Sequence, residues 1–266
     1  MTATTADLLA AALARDPAGP LFTHYDDRTG ERVELSATTL ANWVAKTANL
    51  LTDGAGLGPG DRAAVLLPPH WQTAAILLGS WVAGLSITDS GDGAGAEVAF
   101  AAADRADEAL GTGAADVYLL SLAPLGRRLA GVPAGTLDYA VEVPGFGDHF
   151  PGGRLTGATP ALVAGAALAR GGLPIPADEL LDQAGLLAAA GARAAELGLG
   201  PGDRLLVVDA DGNRPGALDW LLAPLAAGAS VVLVREPDAA ALARRAADER
   251  VTATLGTDVA GVRRAG

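Results

Sequence analysis

The sequence has no cysteine and a single lysine, Lys46, among its 266 residues. Disulfides, thiolate metal ligands and cysteine nucleophiles are therefore excluded. Its three histidines, His24, His70 and His149, show no ligand spacing of the H-E-x-x-H kind, so no metal site is predicted. No G-x-S-x-G elbow is present, because Ser80 follows Leu78-Gly79, and no hydrolase nucleophile or other catalytic residue is predicted. Basic residues are also scarce, 19 against 31 acidic, for a formal net charge of −12. Nucleic acid and anionic membrane surfaces both need a basic footprint, so neither is an expected partner. The longest apolar run, TAAILLGSWVAGLSI (73–87), is too short to span a bilayer comfortably and carries two glycines. The opening MTATTADLLAAALARD lacks the basic stretch of a secretory signal. A cytoplasmic location is expected.

What the chain does have is a packed-core composition, half of it hydrophobic. It also has one hexapeptide twice: LGPGDR stands at 57–62 and again at 199–204. Gly-Pro-Gly turns a chain sharply, and Asp and Arg are expected to cap that turn. Each copy follows a helical pattern (37–53 with Ser36 as N-cap; 177–197) and feeds a short apolar run (AAVLLP, 63–68; LLVVDA, 205–210) that reads as a buried strand. A second helix (71–82; 215–227) and a small-Gly turn into another strand (85–89; 230–236) complete each unit. These β-α-β units imply parallel pairing with right-handed crossovers. Further strands are predicted at 116–122, 137–143, 159–165 and 251–256, helices at 6–14 and 238–249, and a hairpin over 21–35. GDGAGA (91–96) matches a dinucleotide fingerprint in form, but follows the second strand of its unit and is read as a loop. The predicted fold is α/β: two similar subdomains, 1–157 and 158–266, each a mostly parallel sheet flanked by helices.

The order of helix, LGPGDR, AAVLLP, helix and AG-strand resembles the first part of the AMP-dependent synthetases and ligases, the adenylate-forming superfamily that includes acyl-CoA synthetases. LLAPLAAGASVVLV (221–234), ERVELSATTLANWVAKTANLL (31–51) and RVTATLG (250–256) resemble further segments of their large N-terminal domain. The resemblance implies a phosphate loop rich in Ser, Thr and Gly, ending in Pro-Lys-Gly, between the strand at 159–165 and the helix at 177–197. AGAALARGGLPIPADEL (164–180) stands there, without Ser, Thr or Lys. Gly165, Arg170, Gly171 and Gly172 are the candidate ligand-binding residues of this degenerate loop, and Asp178 and Glu179 oppose a polyphosphate at the following helix start. His70, at the end of a central strand, is a candidate for the cleft between subdomains, where the resemblance places a ligand. The resemblance also implies a small C-terminal domain with a catalytic lysine, for which Lys46 cannot serve.

Adenylation needs cations and amides around phosphoryl oxygens, and losing one such donor typically costs about 10²–10³ in rate. The expected function is accordingly a degenerate synthetase-like protein without adenylation activity, in a binding or regulatory role. The alternatives are a partial acyl-adenylating half completed by another chain, and a self-associating interaction scaffold. No cofactor is expected, ATP or AMP with Mg²⁺ entering only through residual binding. A small molecule, a protein or a second copy are the candidate partners.

Overall fold

A computed structural model describes residues 4–88, 95–152, 155–162, 181–210 and 214–266. In chain order the elements are α1 (Thr5–Arg15), β1 (Pro20–Asp26), β2 (Glu31–Ser36), α2 (Ala37–Asn49), β3 (Arg62–Leu66), α3 (Trp71–Ala83), β4 (Ser86–Thr88), β5 (Val98–Ala102), α4 (Ala106–Gly111), β6 (Asp116–Leu120), β7 (Leu137–Asp138), α5 (Tyr139–Glu142), β8 (Pro160–Leu162) and β9 (Leu181–Asp182). They continue with α6 (Gln183–Glu196), β10 (Arg204–Asp209), α7 (Ala223–Ala227), β11 (Ser230–Arg235), α8 (Ala239–Asp248), β12 (Ala253–Leu255) and β13 (Arg263–Arg264). Among the described residues they form two sheets. One runs β7-β6-β5-β3-β4-β8-β9 and the other β13-β12-β10-β11-β1-β2. All pairings are parallel except β1–β2, a hairpin, and β8–β9, which pair antiparallel.

Both sheets are buried on both faces, and the strands show why. Period-two alternation sends Ala63 and Val65 into a central core to which both sheets contribute, and Ala64 and Leu66 into an outer cluster with Ala109 of α4. In the other sheet Leu205, Val207, Val231 and Leu233 face the central core, while Leu206, Val208, Val232 and Val234 meet Leu242 and Ala246 of α8. The run-on apolar strands seen in the sequence are the signature of this double burial. The central layer holds α2, α3 and α6. Every residue of α3 except Val82 is buried. It lies so close to α2 that a Cβ on Gly79 would stand 2.7 Å from Thr47 Cβ. Gln183 ties the layer together: its amide oxygen accepts from Thr5 N (2.9 Å) and its amide nitrogen donates to the carbonyl of Trp81 (3.2 Å). The indole of Trp81 donates to Ala161 O at 2.9 Å.

The two copies of LGPGDR build the same turn. Asp61 and Asp203 each accept the amide of the motif's first glycine, Gly58 or Gly200, at 2.8 Å. The arginines do not cap the turn as the sequence suggests: Arg62 and Arg204 open β3 and β10, and the Arg204 guanidinium reaches Thr23 and Glu249 instead.

Other expectations are corrected too. LDYAVEV is a strand only at Leu137–Asp138. Asp138 then accepts the amide of Ala140 (2.9 Å) and starts the helical turn α5, because its side chain competes as a cap. β5 and α4 are additional to the elements that the sequence predicts. The sheets also interleave along the chain. The hairpin β1–β2 belongs with the strands after residue 200, and β8–β9 with those before 140. No helix of the described residues is long and apolar enough to cross a membrane.

Candidate functional site: a cleft at the strand ends

In parallel α/β sheets, ligands bind beyond the carboxyl ends of the strands. Here such ends from both sheets line one cleft of about 310 Å³. The first sheet gives Pro68 after β3, Ala102 to Arg105 after β5, and Ser121 and Leu122 after β6; the second gives Arg28, Arg214 and Arg235. Four arginines therefore face one opening in a chain that is acidic overall. Arg235 pairs with buried Asp26 (3.4 Å), Arg214 with Asp209 (3.6 Å) and Arg105 with Glu108 (2.6 Å). Arg28, exposed at the β1–β2 turn, has no ion-pair partner among the described residues. Burial raises the Asp209 carboxyl above its ordinary value, and Arg214 and Arg235 oppose that shift.

Beside this cleft lies a buried polar cluster. The hairpin register explains half of it. Asp26 pairs with Glu31 and His24 with Val33, so these four side chains share one face. His70 is added from the other sheet, just past β3. It caps α3, its Nδ1 accepting the Gln72 amide at 3.2 Å. The rings of His24 and His70 meet edge to face, 4.4 Å between centroids. Glu31 Oε2 stands 3.7 Å from His24 Nδ1 and 3.7 Å from His70 Nε2. Its other oxygen accepts the amide of Leu125 at 2.7 Å, so Glu31 bridges the two sheets. Both imidazoles are fully buried and Glu31 nearly so. Burial, aided by each other's proximity and by Arg235, pushes His24 down to about 2. Burial also lowers His70 against the pull of Glu31. Burial works to raise Glu31, but His70 and the Leu125 amide outweigh it and hold the carboxyl below its usual range.

Of the residues singled out in the sequence, His70 thus sits beside the cleft, both as a helix cap and as a member of this cluster. Gly165, Arg170, Gly171 and Gly172 lie outside the described residues, as do Asp178, Glu179 and most of GDGAGA. Lys46 lies elsewhere, donating to Phe146 O at 2.5 Å. His149 is an exposed loop residue. The sequence reading missed His24 and Glu31. Spacing along the chain does not join them to His70, but the hairpin alternation would have put the first two on one face.

No family model matches the chain. A curated protein of Mycobacterium tuberculosis (strain ATCC 25618 / H37Rv), described as a "TIGR03089 family protein", is 44% identical over 254 residues, covering 91% of this chain and 94% of that one. Among solved structures, an acyl-CoA synthetase of Brucella canis superposes with a TM-score of 0.70 at 18% identity, covering 93% of this chain. The acetoacetyl-CoA synthetase of Streptomyces lividans does so with 0.71 at 20% identity, covering 95%. This chain spans 47% and 42% of those two lengths. The two-sheet architecture is therefore that of the AMP-forming ligases, and the chain belongs to the TIGR03089 family.

Proposed function

We propose that this chain is a non-adenylating member of the ligase fold that holds a small anionic molecule of nucleotide or acyl type in the cleft at the strand ends. The observation that carries this reading is the cleft lining: Arg28, Arg105, Arg214 and Arg235 gathered from both sheets at the position where α/β folds take ligands. Guanidinium groups match carboxylate and phosphate geometry, and Arg28 has no ion-pair partner among the described residues, although Asp104 also lines the cleft.

Two facts support the absence of adenylation. Residues 164–180 carry neither hydroxyl nor lysine where the resemblance calls for a polyphosphate grip. The lone lysine is spent on a backbone carbonyl. The division into units 1–157 and 158–266 belongs to the same proposal, as a duplication of chain rather than of sheets.

Thermal shift with Mg²⁺-ATP, AMP and coenzyme A tests binding, since a ligand held only by the native state raises the melting temperature. A shift with at least one of them, lost in Arg28→Ala together with Arg214→Ala, is expected. No shift with any of them would defeat the cleft reading. Pyrophosphate exchange with a panel of carboxylates is expected to be absent. Exchange above background would favour the alternative of an adenylating half.

A further inference from the structure

The buried cluster beside the cleft has a charge problem that the described residues do not solve. Asp26 and Glu31 are directly opposed on the same face of the hairpin, 1% and 5% exposed. Like charges so placed repel, and a buried anion without a cation is costly. Arg235 answers Asp26. Among the described residues, Glu31 has no Arg or Lys partner; His24, His70, the Trp71 indole and the Leu125 amide face it instead. Four atoms there are buried without a hydrogen bond: Glu31 Oε2, His70 Nε2, and both ring nitrogens of His24. Buried groups left in this way call for an explanation, and an ion is one.

We propose that His24, Glu31 and His70 bind one divalent transition-metal ion of the zinc class. Each offers one ligand atom, and the three atoms lie within 4.8 Å of one another. Metal–ligand distances near 2.0–2.1 Å put tetrahedral ligand atoms about 3.3 Å apart. Both His–Glu separations are 3.7 Å, a few tenths of an ångström from that edge. Two imidazoles and one carboxylate are a zinc-type donor set, with a fourth position left for water or an incoming anion. A divalent ion would satisfy Glu31 Oε2 and His70 Nε2 and one nitrogen of His24, and would turn the local excess of negative charge positive by one.

The site has identifiable costs. Ligation through Nε2 requires the proton of His70 on Nδ1, which then no longer accepts from Gln72 N, so α3 loses that N-cap bond. Arg235 repels a cation, an effect moderated by Asp26. The competing arrangement keeps the proton on His70 Nε2 and aims it at Glu31, with no metal.

The test is metal analysis of the full chain purified from zinc-supplemented medium, followed by chelation and titration with Zn²⁺ and Co²⁺. One equivalent per chain is expected, with a Co²⁺ visible spectrum of four- or five-coordinate intensity. Glu31→Gln keeps the acceptor for Leu125 N. His70→Asn keeps a helix cap while withdrawing the imidazole. Each is expected to weaken binding at least about 100-fold, above the 10–100-fold typical of outer-shell changes. Should either variant fail to fold, X-ray absorption of the zinc-loaded wild type decides: two imidazole nitrogens and one carboxylate oxygen support the site. A folded wild type that neither retains nor titrates a metal overturns it, as does affinity unchanged in both folded variants.

Discussion

The two copies of LGPGDR make one turn and two different strand ends. At the turn the copies agree to within a tenth of an ångström or so: the motif aspartate's amide donates to the first glycine's carbonyl at 3.1 Å in both, and the first amide of the unit's second strand, Ser86 of β4 or Ser230 of β11, donates to the aspartate carbonyl at 3.0 and 2.9 Å. A few residues on, agreement stops. β3 runs into Pro68-Pro69-His70 and a buried pair of imidazoles, whereas β10 ends in Asp209 beside Arg214. The duplicated segment thus supplies backbone direction, and the chemistry sits on what is not duplicated.

Acid is expected to separate the halves most strongly. His24 titrates near 6.5 when unfolded and near about 2 in the fold. Below 6.5 the unfolded chain takes a proton that the native state refuses. Stability present above that pH is therefore lost on acidification, by up to about 1.4 kcal/mol per pH unit for each such group. His70, also lowered, acts in the same direction. Asp209 acts oppositely: its raised carboxyl binds a proton sooner in the fold, so it opposes stability as pH rises through that window. Calorimetry in chelator from pH 8 to 4 should show a falling melting temperature. His24→Phe should flatten that fall, and Asp209→Asn should steepen it.

The glycines that end the second helix of each unit offer the next contrast. Gly84 has φ of +93°, and a Cβ there would stand 2.8 Å from the Pro59 ring and 3.1 Å from Leu155. Gly228 has φ of +73°, but its nearest obstacle is the guanidinium of Arg15, the far end of a long side chain. Gly84→Ala should cost roughly 2–4 kcal/mol and Gly228→Ala about 1–2 in urea unfolding. Equal costs would mean that Pro59 yields as readily as Arg15.

Smaller differences follow at the turns. Asp203 also accepts from Thr252 (2.6 Å) and approaches Arg263 (3.5 Å), whereas Asp61 has its Gly58 amide. Asp203→Ala should therefore destabilise by about 2 kcal/mol and Asp61→Ala by about 1. Least of all, Lys46→Met should cost under about 1 kcal/mol and leave every ligand shift in place.

How much of this was legible follows from periodicity. The apolar runs of β3, β10 and β11 and the largely apolar α3 are legible in the sequence, because double burial writes itself into consecutive residues. The hairpin was also read correctly, but not its address: nothing in 20–36 says that β1 will lie beside β11. LDYAVEV alternates like a strand, and only the capping of Ala140 by Asp138 stops it. His24, Glu31 and His70 were invisible as a set because their proximity is a property of sheet packing and not of spacing. The phosphate-loop candidates fall outside the described residues.

The address of that hairpin has a consequence for synthesis. Phe22 pairs with Val231, so a strand made among the first must wait for one made near the end. Contacts this distant close slowly and leave apolar edges uncovered in the meantime. On the ribosome, β1 and β2 have no partner sheet until β11 emerges, and a fragment of 158–266 made alone would present the bare flank of β11 to its neighbours. Such a fragment is expected to aggregate, and a separately supplied 1–157 to rescue it.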